Sequence, residues 1–161
     1  MRRREDDPAV RRARRPGIRH VFWGTLVLVA CVGLLGYLRD PAWLQNYSSG
    51  LRGWETAADG ARVRWAGAHA SFFVASDAQA VRLRLRTTFD QPGDWPITVS
   101  VALDDVPAER VVLSDPAWRE VVIRMPPGAT RRVRRLDLRA DRAREGNRAF
   151  ELAEVTLNPR R

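Results

Sequence analysis

The chain has 161 residues; 28 of them are arginine and none is lysine, and against 19 acids this leaves a formal net charge of +9. That length accommodates one domain of ordinary size with a short appendage. The lone cysteine, Cys31, excludes an intramolecular disulfide and a thiolate metal centre.

The charge is unevenly placed. Residues 1–39 hold nine Arg against Glu5, Asp6 and Asp7, a net of +6, which leaves +3 for residues 40–161. The body of the chain is therefore not a basic face for nucleic acid, and no nucleic-acid partner is expected. Exclusive use of Arg matches the codon usage of a GC-rich bacterial genome, so a single Arg carries little functional weight.

Residues 1–19 read as a basic cytoplasmic tail with eight Arg, and residues 20–38 as a transmembrane helix. From Val21 to Leu38 ("VFWGTLVLVACVGLLGYL") no residue is charged. At about 1.5 Å per residue such a helix reaches about 27 Å, close to the roughly 30 Å of a bilayer's hydrocarbon core. Trp23 and Tyr37 mark its ends and Trp43 and Tyr47 follow, where amphipathic rings suit the headgroup region. The excess of Arg before the span places the N-terminus in the cytoplasm and the rest outside, in the periplasm of a bacterium with a single pass through its inner membrane. A cleaved export signal competes with this reading, and "LVAC" (28–31) has the form of a lipobox that would make Cys31 a lipid attachment site. The apolar "VGLLGYL" after Cys31 favours the uncleaved anchor.

Residues 39–50 read as a juxtamembrane linker, and "AWLQNYSSGL" (42–51) as a short juxtamembrane helix or linker. The remainder, residues 51–158, changes period. "RVRW" (62–65) and "ASFFV" (70–74) read as two strands about a small turn "AGAH", with Phe72 and Phe73 on opposite faces and Trp65 plugging the end of the domain. "AVRLRLRTT" (80–88) and "PITVSVALDD" (96–105) alternate apolar and polar residues, as half-buried strands do. "WREVVIRMP" (118–126), "RRLDLRAD" (134–141) and "AEVTLNP" (153–159) repeat the pattern. Clusters at 89–96, 104–109, 114–117 and 125–130 are rich in Pro, Gly and Asp and read as turns, and 141–150 as a loop or one helical turn. Short strands at this spacing predict an all-β chain folded as an antiparallel β-sandwich of jelly-roll type, followed by a tail at 159–161.

Chemistry-bearing motifs are absent: no nucleophile elbow, phosphate-cradling glycine loop or His/Cys cluster occurs. Asp104, Asp105, Glu109 and Asp115 fall in turns, where such side chains bond nearby backbone. A Ca²⁺ site at Asp104 or Asp105 would lack the spaced oxygen ligands of an EF-hand loop. His69 has no second His outside the span to share a metal. No catalysis, metal or cofactor is expected. The suggestive polar feature is an arginine ladder, Arg82, Arg84 and Arg86, with Arg135 and Arg139 on a neighbouring strand; guanidinium forks of this kind match carboxylate and phosphate. The alternative is a solvated face with cross-strand partners such as Asp137 and Glu154. Among candidate sugar-stacking rings (Trp43, Trp54, Trp95, Trp118), Trp95 reads as exposed and Trp118 as a buried hairpin anchor.

The series "GWE", "RVRWAGAHASFFV", "VRLRLRT", "ITVSVALDDVPAERVVLSDPAWREVVIRMPP" and "RRLDLRADR" resembles the small jelly-roll, galactose-binding-like or carbohydrate-binding modules of bacterial envelope membrane proteins, over about residues 50–158. The segment "RAREGNRAFELAE" departs from that pattern, where a longer Trp/Pro-containing loop belongs. The resemblance implies a non-catalytic module that binds envelope glycan, with the bilayer as its other partner. A membrane protein of polysaccharide synthesis is a further expected partner, and the alternatives are a structural subunit that docks onto a membrane glycosyltransferase or transporter complex, or a lipoprotein held through Cys31.

Overall fold

The computed structural model describes residues 17–127, 130–144 and 147–158. Most of the basic tail, and the C-terminal tail at 159–161, therefore lie outside the described residues. The chain divides into two compact units, the first ending at Arg39 and the second beginning at Asp40.

In the first unit, α1 runs Ile18–Arg39 and buries none of its residues. Twenty-two residues span about 33 Å, and the helix is apolar on every side, so no protein-facing stripe distinguishes one flank. Within the helix the Thr25 hydroxyl donates to the Val21 carbonyl one turn earlier, at 2.9 Å. The helix is long and apolar enough to cross a membrane. Cys31 sits within it, with eight helical residues still to follow.

The second unit is an antiparallel β-sandwich. After a 3-10 helix at Ala42–Asn46 come β1 (Ser48–Thr56), β2 (Arg62–Ala75), β3 (Ala80–Thr87), β4 (Ile97–Leu103), β5 (Val106–Leu113), β6 (Arg119–Arg124), β7 (Val133–Ala140), β8 (Phe150–Ala153) and β9 (Thr156–Leu157). Hydrogen bonding follows the path β5-β4-β7-β2-β8-β3-β6, with β1 also on β2 and β9 on β3. The long strand β2 belongs to both layers: Val63–Ala66 pair with β8, and His69–Ala75 pair with β7. The ladder thus folds back along β2. It sets Val81, Leu83 and Leu85 of β3 against Val99, Val101 and Leu103 of β4 in one core, although those strands never pair. Phe150, Leu136, Leu138 and Leu152 complete that core, and full burial of each side chain stabilises the fold by about 1.5–3 kcal/mol relative to exposure.

Four elements differ from the sequence reading. "AGAH" is not a turn but the middle of β2. Its small residues admit a neighbour at close range: a Cβ at Gly67 would lie 2.6 Å from Asn147 Nδ2, and Asn147 Oδ1 accepts from the Ala68 N–H at 3.1 Å. Only Asp104 and Asp105 of the segment 104–109 form a turn, both with positive φ (49° and 68°) as a two-residue hairpin requires, and Val106–Glu109 already belong to β5. The strand read at 153–159 is divided between β8, which ends at Ala153, and β9. β1 begins at Ser48, so the last three residues of the segment read as a linker belong to the sheet. Phe72 and Phe73 do face opposite ways; Phe72 enters the core while Phe73 lies against Tyr47, ring centroids 6.5 Å apart.

Candidate functional site

Alternation along β3 puts Val81, Leu83 and Leu85 inside and Arg82, Arg84 and Arg86 outside. The three guanidiniums are partnered. Arg82 lies 3.3 Å from Glu120 on β6, Arg84 sits 5.2 Å above the Trp118 ring, and Arg86 bonds Glu151 of β8 at 2.5 Å while stacking on the same ring at 4.5 Å. Trp118 in turn donates from Nε1 to Asp59 Oδ2 at 2.9 Å. That hydrogen bond, the Ala61 N–H and the nearby Arg86 hold the Asp59 carboxyl below its ordinary range.

Arg135 and Arg139 do not join this ladder. Strand β3 pairs with β6, β8 and β9, whereas β7 pairs with β2 and β4 in the opposite layer. There Arg135 bonds the buried Asp137 at 2.8 Å and also pairs with Asp105. Hydrogen bonding to Asp137, opposed by partial burial, raises the Arg135 pKa. His69 Nε2 stands 3.3 Å from the other Asp137 oxygen, and Arg139 is directly opposite both His69 and Ser100. His69 is thus a strand residue rather than a turn residue. The partners foreseen for the ladder, Asp137 and Glu154, give way to Glu120, Glu151 and Asp59.

Three of the candidate acids also bond backbone N–H groups. Asp104 accepts from the Arg135 N–H at 2.9 Å, Asp115 from the Ala117 N–H at 2.8 Å, and Glu109 from the Arg110 N–H at 3.0 Å. No group of three or more His, Cys, Asp or Glu able to hold a metal ion occurs among the described residues.

The tryptophans exchange roles. Trp95 packs against the core and donates from Nε1 to the Phe89 carbonyl at 3.0 Å, so it is half-buried rather than exposed. Trp118 is stacked beneath two arginines on the outer face and anchors no core. Trp65 does not plug the end of the sandwich: on the outer face it bonds Glu55 at 2.7 Å, with Arg148 4.4 Å over its ring. The exposed rings of this unit are Trp43, Tyr47 and Trp54, at 54%, 52% and 42%.

Two of these rings line a groove of about 500 Å³, in which Tyr47 and Trp54 meet Gln45, Asn46, Arg64 and Glu154 over a floor that includes Phe72 and Leu152. Strand register explains why Arg64 is there. It stands opposite Leu152, which stands opposite Leu85, and directly opposed residues share a face, so Arg64 occupies the core-facing side where the layer ends. Its guanidinium reaches the rim of β1 and bonds the Arg52 carbonyl at 2.6 Å and Ser48 Oγ at 3.0 Å. Burial lowers the Arg64 pKa. Tyr47 and Trp43 are linked edge to face at 6.1 Å. Neither Tyr47 nor Arg64 stands out in the sequence, since the first lies among interface aromatics and the second in an ordinary alternation.

A second groove, about 780 Å³, lies between the edge strands β5 and β6 and is mostly apolar, with Val106, Val122, Met125 and Pro126 on its walls. Arg134 closes its end. It follows the inward parity of Leu136 and Leu138, donates to the Pro126 carbonyl at 2.8 Å and lies 3.6 Å from Asp104; its Nε has no hydrogen-bond partner among the described residues.

No family model matches the sequence, and no curated protein matches it. Among solved structures the chain is similar to a family two carbohydrate esterase from Clostridium thermocellum in complex with cellohexaose, with TM-score 0.44 and 8% identity over 68% of this chain and 30% of that one. It is also similar to a CBM36-1 domain of a multidomain xylanase from the hindgut metagenome of Trinervitermes trinervoides (TM-score 0.44, 11% identity, 70% and 90% covered). A carbohydrate-binding module CBM36 in complex with calcium and xylotriose gives TM-score 0.42 and 11% identity over 69% and 87%. The chain spans less than a third of the length of the esterase it matches.

Proposed function

We propose that this protein is anchored by α1 in a bacterial inner membrane and displays its sandwich on the periplasmic side as a non-catalytic module that binds envelope saccharide. The observation that carries the reading is the groove at the start of β1: two exposed aromatic rings, Tyr47 and Trp54, beside the amides of Gln45 and Asn46 and the carboxylate of Glu154. Pyranose rings present apolar C–H faces that stack on aromatic rings, and their hydroxyls pair with amide and carboxylate groups. A concave site with a few convergent polar groups provides both. The eight Arg before the span support the orientation through the positive-inside rule.

The test is a titration of the full chain in neutral detergent with oligosaccharides drawn from bacterial envelopes, read by tryptophan fluorescence. Saturable binding that weakens at least tenfold in Trp54→Ala supports the reading. A flat titration across the panel removes it.

A second reading, a subunit that docks onto a membrane protein of polysaccharide synthesis, is favoured by the apolar groove between β5 and β6, where Val106 and Val122 are exposed. It predicts co-purification that survives Trp54→Ala and fails in Val122→Glu.

A further inference from the structure

Arg64 differs from the ion-paired arginines of the sandwich in what holds it. Arg86, Arg119, Arg135 and Arg144 each pair with a carboxylate. Arg64 makes no ion pair among the described residues; its acceptors are the Arg52 and Leu51 carbonyls and the Ser48 hydroxyl, all neutral. These bonds use Nε and Nη2, and among the described residues none engages Nη1, which carries two further N–H donors. The residue lines the groove beside Trp54, with its guanidinium 5.5 Å from that ring and Arg62 4.8 Å from it, so the stacking plate carries positive charge around it. Partial burial without a direct ion pair among the described residues leaves the Arg64 cation short of solvation, in line with its lowered pKa. A ligand carboxylate would supply the missing partner, and a planar guanidinium suits it better than a hydroxyl. Glu154, in the same groove, sets a limit on how strongly an anion is attracted.

Building on the saccharide-binding reading, we infer that the groove selects an acidic sugar, with Nη1 of Arg64 bonding the carboxylate of a uronate ring while Tyr47 and Trp54 hold the faces of the chain. The test compares galacturonate, mannuronate and glucuronate oligomers, each with its methyl ester, on the full chain in neutral detergent by calorimetry. For at least one pair the acid binds about tenfold more tightly than the ester, because a charge-assisted bond is roughly twice as strong as a neutral one. The ratio shrinks in high salt, and Arg64→Gln collapses it to about one. Glu154→Gln enlarges it, which keeps a variant in play should removal of Arg64 unfold the chain. Acid and ester bound equally in every pair, with both lost in Trp54→Ala, would overturn the role of Arg64 and leave saccharide binding standing. No binding of any oligomer removes both readings. Arg64-dependent binding of phosphatidylglycerol vesicles, with no response to any uronate, would assign the cation to lipid and overturn the proposal.

Discussion

Trp118 Nε1 and Asp59 Oδ2 meet at 2.9 Å and tie the turn between β1 and β2 to the start of β6, across 59 residues of sequence. The same carboxylate lies 3.4 Å from Arg86, so a hairpin tip, an indole and the arginine ladder form one unit on the outer face.

That unit responds to acid in a defined direction. The folded-state pKa of Asp59 lies below its ordinary 3.8, with the Trp118 hydrogen bond as the largest cause. A depressed carboxyl contributes stability that is fully present above 3.8 and is lost as pH falls through the lower folded value. In a proton NMR titration the Trp118 indole N–H signal therefore holds its position down to about pH 4 and moves only below it. In Asp59→Asn that movement disappears.

Gly67→Ala places a methyl group 2.6 Å from Asn147 Nδ2 and 3.1 Å from its carbonyl oxygen, so denaturant unfolding shows a loss of about 1–3 kcal/mol. Adding Asn147→Gly recovers part of it, because the amide is removed and glycine suits the positive φ of 58° at that position. A neutral effect of Gly67→Ala alone would contradict the close approach of the two segments.

Trp95→Ala lowers stability by about 2–3 kcal/mol, less than for a fully buried ring, and leaves saccharide affinity unchanged. Trp95→Phe keeps much of the packing and loses the bond to the Phe89 carbonyl, for a loss of about 1 kcal/mol. Chemical denaturation of the two variants side by side separates the contributions.

Asp137→Ala removes a buried carboxylate held by Arg135 at 2.8 Å and strips His69 of its partner. Because Arg135 is 40% exposed, the expected loss is about 1–2 kcal/mol, well below that of a fully buried pair. A double-mutant cycle with Arg135→Ala reads the coupling directly.

If α1 is an uncleaved anchor, the full chain is expected to stay in membranes through an alkaline carbonate wash and to show a mass without added lipid, with Cys31→Ser unchanged. A mass beginning at Cys31 with added acyl chains would replace the spanning helix by a lipid anchor, for which α1 continues eight residues too far.

The apolar span and the alternating strands were legible because both signals are local. Eighteen uncharged residues are a length, and "VRLRLR" or "ITVSVAL" is a period of two that any one-sided burial produces. The small residues of β2 misled for the same local reason. Ala and Gly clusters read as turns, yet Gly67 is small because Asn147, 80 residues later, packs against it. Arg64 reads as part of an ordinary strand, and its register against Leu152 and Leu85 turns it toward the groove.

What the sequence determined by itself is therefore the class of each segment: a membrane-length apolar helix, then an antiparallel β domain with its arginines mostly outside. Tertiary structure decided which side chains meet. It parted Arg135 and Arg139 from the ladder, half-buried Trp95 with its indole bonded to the Phe89 carbonyl, and left Tyr47, Trp54 and Arg64 around one groove. The physical reason is that periodicity specifies which face a residue occupies, whereas its neighbours on that face depend on strand order, which is settled by contacts between segments far apart in the chain.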